Sequence, residues 1–164
     1  MRGNQLTSLP ESIGKLKKLD SLLIDQNPLN NLPESIDKFK VLNFLDLTGN
    51  QLTNIPDAIR NLSQLTYLGL KNNKLTVLPK AIGNLAYLEI LDLIDNELTT
   101  LPESFGNLRS LIILYANNNN FSSLPESLLK LELLEDFDLS NNPIIEDDEN
   151  RIIMNLRKRD VLIS

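Results

Sequence analysis

An asparagine recurs every 23 residues along almost the whole chain, and this spacing is the feature that most limits how the sequence can fold. A column of prolines follows at the same spacing, from Pro10 to Pro125, and leucines hold fixed offsets from each asparagine. A period of this length indicates a stack of equivalent units, each of which buries its apolar side against its neighbours. The asparagines are Asn4, Asn27, Asn50, Asn73, Asn96, Asn119 and Asn142.

The leucines before each asparagine predict a short strand. Leu68 and Leu70 are two residues apart, so an extended chain points both to one side and Gly69 to the other. Equivalent strands of successive units would form a parallel sheet with about 4.8 Å between strands. The proline after a leucine, as in Leu78-Pro79, has φ fixed at about −65°, which predicts the first turn of a short helix on the opposite side.

The asparagine column is interpreted as structural. A primary amide has two donors and an acceptor, so a buried asparagine can bond the backbone of its own unit and of the next. A second position holds glycine in three units and larger residues in the other three, so it cannot require a positive φ, and we expect an unstrained helical turn there. That position holds Gly14, Gly83 and Gly106 in three units and Asp37, Arg60 and Leu129 in the others.

The repeated pattern L-x-x-L-x-L-x-x-N-x-L-x-x-L-P-x-x-I-G-x-L-x-x-L resembles the leucine-rich repeat in its 23-residue form. That form is found in bacterial proteins and in cytosolic proteins that bind Ras-like GTPases. The resemblance extends from residue 4 to about residue 142. It implies an α/β solenoid, a curved horseshoe with a parallel sheet on its concave face and short helical turns on its convex face.

The pattern breaks after Asn142. Acidic residues open the following segment and Arg157 to Arg159 close it, as the helix dipole favours, while Ile152, Ile153 and Leu156 share one helical face. We therefore predict an array of six repeats with partial ends over residues 1–145. Residues 146–164 are predicted to be a C-terminal capping helix and tail, with a partner-binding amphipathic helix as the alternative.

The N-terminal end has no such cap. The chain enters its first unit midway at Asn4, with no strand leucines before it, which leaves open whether it is part of a longer array. An uncovered apolar end exposes unpaired backbone groups. We expect residues 1 to 15 to fray, or the chain to form a weak homodimer through this end.

Composition excludes several kinds of chemistry. The chain has no histidine and no cysteine, so neither a Ser-His-Asp set nor the usual zinc ligands can form. A formal net charge of −6 disfavours nucleic acid, and no apolar run is long enough to span a bilayer. We expect no enzyme activity, cofactor, metal or membrane partner. The lack of cysteine and of a signal peptide favours the cytoplasm and leaves secretion or the cell surface open.

Side chains six, four and two residues before each asparagine are predicted to point away from the core, on the concave face. Apolar and aromatic side chains lie there beside carboxylates, which favours binding of a protein or peptide that is basic and has apolar anchors. The alternative is that neighbouring side chains cover one another. The predicted binding residues are Phe44, Asp46, Tyr67, Lys71, Ile90, Asp92, Ile94, Ile113, Tyr115 and Asp138.

Three functions fit the sequence. The first is a protein-interaction module that binds its partner on the concave face. The second is a repeat segment of a larger protein of the GTPase or ligase type, whose catalytic domain lies elsewhere. The third is a purely structural or self-associating repeat.

Overall fold

Seven parallel strands lie side by side in the order of the sequence in the computed structural model, which describes residues 1–144 and 146–164. The predicted parallel sheet is therefore confirmed. The strands are β1 (Ser21–Leu23), β2 (Phe44–Asp46), β3 (Tyr67–Gly69), β4 (Ile90–Asp92), β5 (Ile113–Tyr115), β6 (Asp136–Asp138) and β7 (Leu162–Ile163).

The register of β1 to β6 advances by one 23-residue unit from strand to strand, as Phe44 opposite Tyr67 illustrates. The middle residue of each strand faces the core, and Leu68 at that position is completely buried. The first and last residues of each strand point the other way because side chains alternate along an extended chain. One surface of the sheet is thus committed to the core and the other is free to carry polar groups.

Short 3-10 helices form the opposite side of each unit. The sequence pattern predicted that proline begins each helical turn, and this is wrong by one residue. Each proline stands immediately before the first residue of its helix. Pro79 has φ −67° and ψ 148°, and its carbonyl accepts a hydrogen bond from the Ile82 N–H at 3.0 Å. The fixed φ suits either conformation, and ψ places proline in the cap position. These helices span Glu11–Lys15, Glu34–Lys38, Asp57–Asn61, Lys80–Asn84, Glu103–Asn107 and Glu126–Lys130.

Glycine within these helices has no positive φ, as predicted, and serves close packing instead. A Cβ atom added at Gly83 would lie 2.2 Å from the backbone oxygen of Ser104 in the next helix. The same approach recurs between Gly14 and Ser35 at 2.7 Å. In the units that have glycine at this position, it permits this close approach to the next helix.

The asparagine ladder is confirmed for six of its seven members. Asn73 Nδ2 donates to Leu47 O at 3.0 Å and Leu70 O at 2.9 Å, and its Oδ1 accepts from Leu52 N at 3.0 Å. The amide thus joins its own unit to the preceding one. Asn4 departs from the pattern: it is exposed and donates only to Arg2 O, because no earlier unit lies against it.

The residue before each ladder asparagine adopts left-handed backbone geometry, a feature that the sequence analysis did not predict. Five of these six residues are glycine, asparagine or aspartate, the types that most readily adopt a positive φ, so the sequence did carry a signal. The φ values are 57° at Gln26, 68° at Gly49, 53° at Asn72, 56° at Asp95, 56° at Asn118 and 58° at Asn141.

The C-terminal segment forms helix α1 (Glu146–Arg157) and then β7, which pairs with β6. Ile152, Ile153 and Leu156 are all buried, so the apolar helical face predicted from the sequence packs into the core. Strand β7 was not predicted. The predicted boundary at residue 145 lies outside the described residues. None of the helices described combines the length and the apolar character that crossing a membrane requires.

Residues 1 to 3 continue the sheet's hydrogen bonding at the edge of β1. The Gly3 N–H donates to Asp25 O at 3.0 Å, as its counterpart Gly49 does to Lys71 O in a later unit. The first helix is less well covered: Leu16 is 52% exposed, whereas Phe39 at the same position of the next unit is 1% exposed. The N-terminal end therefore carries an open apolar surface.

Candidate protein-binding face

The strand register brings the predicted binding residues together on the concave face. Phe44, Tyr67, Ile90 and Ile113 are aligned across β2 to β5 and are called the apolar row. Lys71 and Ile94 follow two residues after the ends of β3 and β4. A second alignment, called the carboxylate row, consists of Asp46, Gly69, Asp92, Tyr115 and Asp138.

Side chains of the apolar row are half-buried, so the predicted exposed stripe is only partly exposed. The rings of Phe44 and Tyr67 are stacked, with centroids 4.3 Å apart and planes inclined by 5°. Neighbouring side chains thus cover one another in part, which is the alternative that the sequence left open. What remains accessible is a strip of ring and aliphatic edges beside the carboxylates.

Each aspartate of the carboxylate row is held by a backbone N–H two residues later. Asp46 Oδ1 accepts from Thr48 N, and Asp92 Oδ1 from Ile94 N, both at 3.1 Å. Asp138 Oδ1 accepts from Ser140 N at 3.0 Å. These bonds fix the orientation of the carboxylates and occupy only one oxygen of each.

The concave face has a negative electrostatic character that shifts the pKa of its own groups. Burial raises the pKa of Asp92, and the charges of Asp46 and Asp95 add to this, against the Ile94 N–H and Lys71, which lower it. Burial is the main cause that raises the pKa of Tyr67 to about 12, and the negative charges of Asp46 and Asp92 and the nearby Tyr115 add to it. The Ile94 N–H and Lys71 therefore do not fully offset what burial and the neighbouring negative charges cost the ionised form of Asp92.

Two polar residues that the sequence analysis did not select also lie on this face. Arg2 Nε donates to Asp25 Oδ1 at 2.7 Å, and Arg2 Nη2 lies 3.7 Å from Asp46 Oδ2. Hydrogen bonding to Asp25 is the main cause of the raised pKa of Arg2. The signal was available, because Arg2 stands two residues before Asn4, the same offset as Asp25 from Asn27.

Leu162 extends the concave face at its C-terminal end. It lies opposite Asp136 in the sheet and is 63% exposed. The sequence pattern could not reveal it, because β7 lies outside the 23-residue spacing. Among the side chains of residues 1–144 and 151–164, no group of three or more acidic residues is placed to hold a metal ion. The arrangement is suited to binding through contact area and charge.

The chain belongs to the leucine-rich repeat family: the family described as leucine-rich repeat region matches residues 34–162. No curated protein matches the sequence.

Solved structures similar to this chain include bacterial and plant proteins. A leucine-rich repeat protein of Leptospira interrogans is 31% identical, with a TM-score of 0.68, over 93% of this chain and 44% of its own. The ectodomain of the Arabidopsis thaliana receptor kinase GASSHO1/SCHENGEN3, in complex with CASPARIAN STRIP INTEGRITY FACTOR 2, is 36% identical, with a TM-score of 0.76. The match covers 82% of this chain and 17% of the ectodomain chain. The plant peptide hormone receptor RGFR1, in complex with RGF2, is 35% identical, with a TM-score of 0.75, and the match covers 82% of this chain and 22% of the receptor chain. The chain thus spans less than half the length of each.

Proposed function

We propose that this chain is a protein-interaction module that binds a protein or peptide on its concave face. The observation that supports this most directly is the alignment of half-buried aromatic and aliphatic side chains with fixed carboxylates on one side of the sheet. Solenoids of this kind generally present such a surface to their partners. Two similar plant structures are complexes of receptors with their ligands.

Tyrosine substitutions test the surface with a matched control. Tyr67 and Tyr115 lie on the concave face, whereas Tyr87 is 59% exposed and lies outside it. A random-peptide display pool is selected on the wild-type chain, and the selected ligands are measured against Tyr67→Ala, Tyr115→Ala and Tyr87→Ala. We expect the concave substitutions to weaken binding by about tenfold each and the control to leave it unchanged.

Ligands that bind all three variants equally, or a pool that yields none, would contradict the proposal. Circular dichroism on each variant separates loss of the surface from loss of the fold. Tyr87→Ala, at an exposed position, should change stability by less than about 1 kcal/mol. Tyr67→Ala also removes the stack on Phe44, so a larger loss of stability is expected there, with the fold retained.

A further inference from the structure

The carboxylate row places an aspartate on every second strand. Asp46, Asp92 and Asp138 lie on β2, β4 and β6, with Gly69 and Tyr115 between them. Neighbouring strands are about 4.8 Å apart, so the aspartates are separated by about 9.6 Å. The row therefore repeats its negative charge at a regular interval along the concave face.

Charge on the concave face is not balanced within the chain. The three concave positions of the units carry five carboxylates and two cations, Arg2 and Lys71. In the part of the chain that the structure describes, ion pairs on this face reach only Asp25 and Asp46, both from Arg2. Among the same described residues, Asp92 and Asp138 form no ion pair, although Lys71 acts on Asp92 from a longer distance.

Arg2 shows how a guanidinium group sits on this face. It bonds Asp25 through Nε and approaches Asp46 through Nη2, so one arginine lies between carboxylates of neighbouring units. A planar group with several donors can span such a pair, which a single ammonium group does less well. The chain itself thus supplies an example of the side chain that this surface accommodates.

Tyrosine rings lie between the aspartates. The Tyr67 hydroxyl would be 3.0 Å from a Cβ added at Gly69, so this ring leans over the glycine between Asp46 and Asp92. Tyr115 stands in the row itself, on β5 between Asp92 and Asp138. Guanidinium groups stack on aromatic rings, so alternating carboxylates and tyrosines favour arginine over other cations.

Dimensions of the concave face favour a peptide over a globular partner. Seven strands span about 29 Å, and five extended residues give a width of about 16 Å, which corresponds to an area of about 460 Å². A stable interface between globular proteins needs about 800 Å² on each side. An extended peptide fits this smaller strip, and in a polyproline II conformation every third residue returns to the same face after about 9.3 Å.

We propose that the concave face binds an extended peptide segment that carries arginine at every third residue, with two of its guanidinium groups on Asp92 and Asp138, while Arg2 of the chain itself lies near Asp46. This inference rests on the proposed function, because it assigns the chemistry of the partner for the same surface.

Synthetic peptides test the inference at low ionic strength. The probe has three arginines separated by alanine-proline pairs; a second peptide has the same composition with the arginines adjacent, and a third has lysine in place of arginine. Binding is measured by calorimetry to the wild type and to Asp92→Asn, Asp138→Asn and the control Asp57→Asn. Asp57 is exposed on the other side of the solenoid, so the control makes the same charge change away from the sheet.

The spaced arginine peptide is expected to bind the wild type and Asp57→Asn equally, and to lose about tenfold in affinity with either row variant. The lysine and clustered peptides are expected to bind several-fold more weakly than the probe. Equal losses in Asp57→Asn, equal affinity of the clustered peptide, or no binding of the probe would overturn the inference. Pool-selected ligands that require Tyr67 and Tyr115 but carry no spaced arginines would also overturn it, while leaving the proposed function intact.

Discussion

The side-chain amide of each buried asparagine links successive units of this solenoid through hydrogen bonds. Asn73 is buried and makes contacts that no apolar residue can replace, because it bonds the backbone of two units at once. Leucine is the commonest core residue of the chain and is close to asparagine in size. Chemistry, not volume, explains why five successive units, from Asn27 to Asn119, use asparagine at a buried position.

Asn73→Leu is expected to lower the free energy of unfolding by about 1 to 3 kcal/mol, since the N–H of Leu52 and the carbonyls of Leu47 and Leu70 lose a buried partner. Urea denaturation followed by circular dichroism measures the change. Asn84→Leu, at an exposed position in a 3-10 helix, is the matched control and should have little effect. An unchanged midpoint for Asn73→Leu would show that the ladder bond is dispensable.

Asp92 represents the opposite case, a residue whose charge opposes folding. Its pKa is raised above the ordinary 3.8, first by burial and then by Asp46 and Asp95. The unfolded chain therefore releases this proton at lower pH than the folded chain. The resulting penalty on folding is absent below pH 3.8 and complete above the raised pKa.

Asp92→Asn keeps an oxygen for the Ile94 N–H and removes this penalty. We expect a higher Tm than the wild type at about pH 7, and a gain that shrinks to nothing at about pH 3. Thermal unfolding at both pH values is the measurement. A Tm gain of the same size at both, or a loss at neutral pH, would show that the carboxylate does not oppose folding.

At the scale of secondary structure elements, the 3-10 helices pack more closely than their sequences suggest. Gly83→Ala would place a methyl group 2.2 Å from the Ser104 oxygen, so the two helices must separate. We expect a loss of about 1 to 3 kcal/mol in unfolding free energy, as overpacking usually produces. The neighbouring exposed Asn84→Ala serves as the control, and denaturant midpoints that coincide for the two variants would be the contrary result.

Elements that repeat could be predicted from the sequence, and so could helix α1 from its apolar face, whereas strand β7 could not. The strands and helical turns follow from leucine spacing, and the ladder follows from the bonding capacity of an amide. Strand β7 was missed because Leu162–Ile163 stands alone, with no counterpart 23 residues away. The left-handed residue before each asparagine was missed because its type varies, although Gly49 and Asn72 are of types that readily adopt positive φ. The predicted position of proline was wrong by one residue, because its fixed φ fits both the first residue of a helix and the cap residue before it.

The candidate site shows the same division. Alternation along a strand places Phe44, Asp92 and Tyr115 on the concave face, and this could be predicted from single units. Their partial burial could not, because it depends on how side chains of neighbouring strands overlap, as in the stack of Phe44 on Tyr67. Contact between Arg2 and Asp46 depends on an incomplete unit that the leucine pattern does not cover.

At the scale of the whole molecule, the two ends of the core differ. Helix α1 buries Ile152 and Leu156 at the C-terminal end, whereas Leu16 remains 52% exposed at the other. The 164-residue chain is therefore expected to dimerise weakly through its N-terminal end at high concentration. Light scattering over a concentration series measures this.

A consensus unit joined before residue 4 should abolish the dimer and raise the unfolding midpoint, because it covers Leu16 and the open apolar surface around it. Leu16→Lys provides a smaller change with the same expected effect on association. A chain that stays monomeric at every concentration, with amide hydrogens of residues 5 to 15 fully protected from exchange, would contradict the prediction.

The alternation of aspartate along the sheet also bears on how an array like this one can change length. Duplication of one 23-residue unit between β3 and β4 would preserve every hydrogen bond of the ladder, yet it would move Asp46 and Asp92 out of phase with each other. Duplication of a pair of units would keep the alternation intact. The backbone therefore tolerates added length in steps of 23 residues, whereas the charge pattern of the concave face repeats every 46 residues. Relatives or designed variants that keep this binding surface should therefore differ in length by whole pairs of units.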